Sequence, residues 1–153
     1  MKRFALSLLL FGILFSVVAS AQSTWTDPAT KLMWAKETNS SDVTWNQAKD
    51  YCANLRLAGY SNWRLPTIDE LESIYDKTQD VDGRHVKGDI RFNCVIRQGA
   101  HCRDGWSAWS NSTGNASGEA WDFDFGFTHG TRNSFRLGYN NDERALCVRH
   151  PGE

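Results

Sequence analysis
Apolar residues recur at helical spacing in only two stretches of this chain, and each stretch opens on the same short signal. Thr44 followed by Gln47, and Thr67 followed by Glu70, fit the capping box, in which a threonine hydroxyl and the side chain three residues on satisfy two backbone N–H groups reciprocally. After the first, Trp45, Ala48, Tyr51 or Cys52, and Leu55 predict a helix over about 44–58. After the second, Ile68, Leu71 and Ile74 or Tyr75 predict a shorter helix over about 67–75. Gly59 stands where a helix end calls for a left-handed residue. Pro66 keeps Leu65 out of helical conformation. One loop therefore joins the two helices, with Trp63 and Leu65 as its buried anchors.

Elsewhere the period is two or absent. Residues 24–36 alternate loosely around an Asp27-Pro28-Ala29-Thr30 turn and predict two short strands. Residues 106–110, 120–127, 133–138 and 144–149 read as further strands separated by turn residues. Trp121, Phe123 and Phe125 alternate with Asp122 and Asp124, which predicts aromatics on the core and carboxylates in water. From Asp76 to Gly105 periodicity disappears, and a loop of that length inside a domain is often functional. The expected class is α+β: two helices packed on a small, twisted, mostly antiparallel sheet with long loops.

The run Ala58-Gly59-Tyr60-Ser61-Asn62-Trp63-Arg64-Leu65-Pro66-Thr67, with Glu70-Leu71 after it, resembles the central motif of the Lcl C-terminal domain family. Thr26-Asp27 with Leu32-Met33-Trp34, then Trp45, Cys52, Trp109-Ser110 and Cys147-Val148-Arg149, extend the resemblance over about residues 25–150. It implies a fold similar to C-type lectins and to formylglycine-generating enzymes. Through the collagen-like adhesin that gives the family its name, it also implies binding to sulfated polysaccharides. This chain has no collagen-like repeat, so the stalk of that adhesin is missing.

Composition adds a compartment. Lys2 and Arg3 precede the apolar run 4–18, and Ala19-Ser20-Ala21 follows, the pattern of a signal peptide cleaved after Ala21. The run is shorter than the roughly 20 residues that span a bilayer. Residues 22–153 are then one secreted or periplasmic domain without a membrane span. Cleavage removes two of the 17 basic residues against 18 acidic ones, and the acidic balance argues against nucleic-acid binding. Four cysteines in an exported chain point to disulfides, with three possible pairings. The absence of a Cys-x-x-Cys pair argues against zinc. In lectin-like folds the first helix packs on the last strand, so the resemblance implies Cys52–Cys147. Cys94 and Cys102 would then close a short loop.

Two clusters are candidates for ligand chemistry. Arg84, Lys87, Arg91, Arg97 and Arg103 face only Asp89 between residues 84 and 103, which suggests contact with a polyanion. Arg91, Arg97 and Arg103 with Trp106 are the expected ligand-binding residues. Asp122, Asp124 and Asp142 are the expected ligands of a calcium ion, with further oxygens from Asn140, Asn141 and Glu143. No histidine spacing, phosphate loop or nucleophile elbow is present, so no catalysis is expected. The expected function is a binding or adhesion module for a glycan or another surface polymer. The alternatives are a structural or protein-docking module of an envelope assembly and a divergent enzyme of the formylglycine-generating type.

Overall fold
The computed structural model describes residues 23–93, 106–126 and 130–152. The expected signal peptide, Cys94 and Cys102, Arg97 and Arg103 lie outside the described residues. Strands β1 (Thr24–Thr26) and β2 (Met33–Ala35) come first, followed by helices α1 (Trp45–Asn54) and α2 (Ile68–Ser73). Strands β3 (Ser107–Thr113), β4 (Glu119–Asp124), β5 (Thr131–Arg136), β6 (Glu143–Arg144) and β7 (Val148–Arg149) complete the order.

Both capping boxes form. The hydroxyls of Thr44 and Thr67 accept from the N–H groups of Gln47 and Glu70, whose side chains accept from the threonine N–H groups in return. Glu70 does a second job. Its two oxygens take a bidentate ion pair from Arg64 at 2.8 Å each. Burial alone would raise the Glu70 pKa, but the Arg64 guanidinium and the Thr67 N–H outweigh it and hold the carboxyl below its usual range. Arg64 also exchanges backbone hydrogen bonds with Val148 at 2.9 Å in both directions. The loop is thereby fixed to β7 by its backbone and to α2 by its side chain, while Trp63 and Leu65 are buried beneath it. Replacing Thr67 by Ala should cost about 1 kcal/mol. Urea unfolding with an unshifted midpoint would show that this cap contributes nothing.

Helix α1 stops at Asn54, four residues before the expected end, because Leu55 is extended. Ala58 and Gly59, both at positive φ, form a tight turn that pairs Leu57 with Tyr60. Gly59 thus serves a hairpin turn and not a helix terminus. Of the helix, Ala48 and Cys52 face the core, and Tyr51 turns outward.

Among the described residues there are two sheets where one was expected. One is antiparallel, in the order β1-β2-β7. The other runs β5-β4-β3-β6, antiparallel except for the parallel pair β3–β6. The terminal segment serves both, because β6 joins the second sheet and β7 the first. Register places Ala108 beside Phe123 on one face of the larger sheet and Trp109 beside Asp122 on the other. The Phe123 face packs with Ile68 and Leu71 of α2 in one core. The Trp109 face packs with Ala48 and Cys52 of α1, and with Trp63 and Leu65, in the other. Both faces of this sheet are covered, which overturns the expected division of β4 into a dry face and a wet one. Asp122 is fully buried, whereas Trp121 is only half-buried.

The segment after Asp76, where periodicity disappears, nonetheless carries core residues. Up to Asn93 it contributes Val86, Ile90 and Phe92. It is held by backbone pairings of Tyr75 with Val86 and of Glu37 with Arg91. Cys52 and Cys147 are bridged, with a sequence separation of 95, which bears out the pairing that the resemblance implied.

Candidate functional site
Of the basic residues between 84 and 103, Arg84, Lys87 and Arg91 are described, and the first two are tied into the fold. Arg84 is buried, its guanidinium over the Phe92 ring at 5.6 Å. Lys87 donates its ammonium to the Ser73 carbonyl at 2.8 Å. Arg91 alone of the described candidates keeps an exposed side chain, on a backbone paired with Lys36 and Thr38. Trp106 is half-buried and lies against Gly126, where an added Cβ would run into its ring. Its place against that backbone explains why glycine follows Phe125.

Arg91 stands instead at the edge of an open cleft of about 1410 Å³, bounded by α1, the strand-like run 35–39 and the segment 80–93. Its described lining holds five carboxylates (Glu37, Asp50, Asp80, Asp82 and Asp89) against the cations Lys36, Arg56 and Arg91. Arg56 turns back to the helix end, donating to the carbonyls of Ala53 and Leu55. The described lining is therefore net acidic. Tyr51 lies on its wall, 37 % exposed. Burial first, and the charge of Glu37 second, push the Tyr51 phenol up, so its hydroxyl stays a donor at neutral pH. Sequence reading missed this cleft because its walls come from three segments distant in the chain. The one local signal was Tyr51, an aromatic residue beside Cys52 on a short helix.

The acidic residues proposed from sequence do come together, around a partner that sequence did not single out. Ser107, Asp124 and Glu143 are register neighbours, as are Trp109, Asp122 and Asn133, so all six share one face of the larger sheet. Asp122 is 0 % exposed and Glu143 2 %. Both oxygens of Asp122 and Oε2 of Glu143 accept no hydrogen bond from a donor group. The Ser107 and Asn133 side chains are close enough to favour the Asp122 charge but close no bond of normal geometry. Burial pushes the Asp122 carboxyl up, and the neighbouring Asp124 charge adds to this. Burial pushes Glu143 up further, reinforced by Asp122 and then Asp142. Like charges at this depth cannot both ionise cheaply, and each unmatched buried acceptor costs about 1–3 kcal/mol. Among the described residues, no three His, Cys, Asp or Glu side chains gather as a ready metal-holding group.

No helix among the described residues is long and apolar enough to cross a membrane. A comparison with curated proteins finds no match. The family model of the Lcl C-terminal domain matches residues 23–149, nearly all of the described structure. With its central loop tied to both the second helix and the last strand, the chain belongs to the Lcl C-terminal domain family.

Proposed function
We propose that the chain is an exported, non-catalytic adhesion module that binds a hydroxyl-rich glycan in the cleft beside α1. The observation that carries this reading is the cleft itself. Carboxylates and hydroxyls along its walls are acceptors and donors for sugar hydroxyls, and the exposed Tyr51 ring offers a flat apolar surface with a polar tip. Membership in a family named for an adhesin supports a surface partner, and the disulfide is consistent with export. The five carboxylates favour an uncharged glycan over the sulfated one that the resemblance implied, because a polyanion entering an acidic cleft meets like-charge repulsion.

Binding to a panel of neutral and sulfated polysaccharides tests this. A neutral glycan should bind, and Tyr51→Ala should weaken it about tenfold, the equivalent of about 1.4 kcal/mol. Raised salt should change little, since few charges are exchanged. Binding confined to sulfated polymers, lost on Arg91→Ser and steeply weakened by salt, would place the site on the basic segment instead.

A further inference from the structure
Asp122 on β4 and Glu143 on β6 flank β3 on a single face of the larger sheet. Three of their four oxygens are buried and accept from no donor group. The two carboxyls lie within hydrogen-bond reach of each other. A proton shared between them would satisfy one oxygen of each and still leave the second Asp122 oxygen bare. Among the described residues no basic side chain compensates either. Arg144 follows Glu143 directly, but it lies on the opposite face and pairs with Asp42. The other groups on this face are the Ser107 hydroxyl, the Asn133 amide and the Asp124 carboxylate, with Asp142 adding negative charge nearby. Among the described residues each polar side chain around the pair carries an oxygen, with donor hydrogens on Ser107 and Asn133, and the pair itself is acceptor-only when ionised.

A buried carboxylate pair with hydroxyl and amide oxygens around it selects hard cations over zinc or copper, which prefer imidazole nitrogen and sulfur. Calcium tolerates irregular shells in which neutral amide, hydroxyl and carbonyl oxygens complete the count, whereas magnesium demands a near-ideal octahedron. We propose that Asp122 and Glu143 form the charged half of a buried calcium-class cation site, with oxygens of Ser107 and Asn133 available to complete it. Such an ion would tie β4 to β6 across β3. This revises the trio of Asp122, Asp124 and Asp142 by putting Glu143 at its centre, and it does not depend on glycan binding.

The test uses the purified full chain, stripped with a chelator and titrated with calcium chloride alone at neutral pH. Calorimetry should show saturable one-to-one binding, and the melting temperature should rise with calcium. Glu143→Gln and Asp122→Asn keep the side-chain shape while removing charge, so both variants should fold. Each should lose about tenfold or more in calcium affinity. Terbium in place of calcium should be sensitised by Trp109, the register neighbour of Asp122. Wild-type protein that shows neither heat nor a melting shift overturns the proposal. So does calcium binding of equal strength in both variants.

Discussion

The protein carrying both Cys52→Ala and Cys147→Ala should be less stable than the parent by about 4–5 kcal/mol. The bridge spans 95 residues, and cross-linking a loop of that length removes much of the freedom of the unfolded chain. A domain of this size has only about 5–15 kcal/mol in total, so the variant should be marginal at ordinary temperature. Two features of the fold keep native strain from reducing the effect. Both cysteines are buried, in a core that contains Trp63, Leu65 and Trp109. Each lies on a segment held independently: Cys52 in the capped helix, and Cys147 just before a strand paired with both β2 and Arg64. The double variant is preferable to a reductant, which would also reach Cys94 and Cys102. Guanidinium unfolding at constant pH gives the answer. A loss below about 1 kcal/mol would mean that the unfolded chain already holds these ends together.

Stability in chelator-containing buffer should fall as pH rises from the acid side of neutrality to mildly alkaline conditions. Asp122 and Glu143 both have folded-state pKa values above their unfolded ones. Between the ordinary carboxyl range near about 4 and those raised values, the unfolded chain holds fewer protons than the folded one. The slope of unfolding free energy with pH is then negative, so the penalty accumulates as pH increases through that window. Every tenfold change in proton affinity between the two states is worth about 1.4 kcal/mol, so the pair's penalty at mildly alkaline pH is on the order of a few kcal/mol. Glu143→Gln should be the more stable protein at alkaline pH and should flatten the profile. The Glu70–Arg64 pair acts in the opposite direction and only in acid, because a lowered carboxyl pKa adds stability that is lost as pH falls. A wild-type profile that is flat or rising between about pH 6 and about pH 9 would show that the carboxyls are solvated and not buried as a pair.

What could be read from sequence was local or carried by resemblance. The capping boxes are complete within four residues each, so Thr44, Gln47, Thr67 and Glu70 announced both helices without reference to the rest of the fold. Trp63 and Leu65 were legible because a proline and a helix start leave few places for large apolar side chains. The link from Cys52 to Cys147 needed the family's fold, since nothing in the spacing separates it from the other pairings. The burial of Asp122 was hidden for a physical reason. Alternation reports which residues share a face, but it does not report whether the second face meets water or another core. Val86, Ile90 and Phe92 escaped notice because isolated apolar residues in an irregular segment have no period. Arg84 and Lys87 looked like solvated cations because local sequence does not show that one would cover Phe92 and the other reach the Ser73 carbonyl. Glu143 looked like one more loop acid, since its parallel pairing with Ser107 joins positions 36 apart in the chain numbering.

The terminal segment has a consequence for biosynthesis. Residues 143–149 supply a strand to each sheet and carry one end of the disulfide. Without them the first sheet is a two-stranded ribbon and Cys52 lacks its bridge partner, and a lone hairpin is marginal in water. Completing the first sheet and forming this disulfide therefore both wait for residues 143–149.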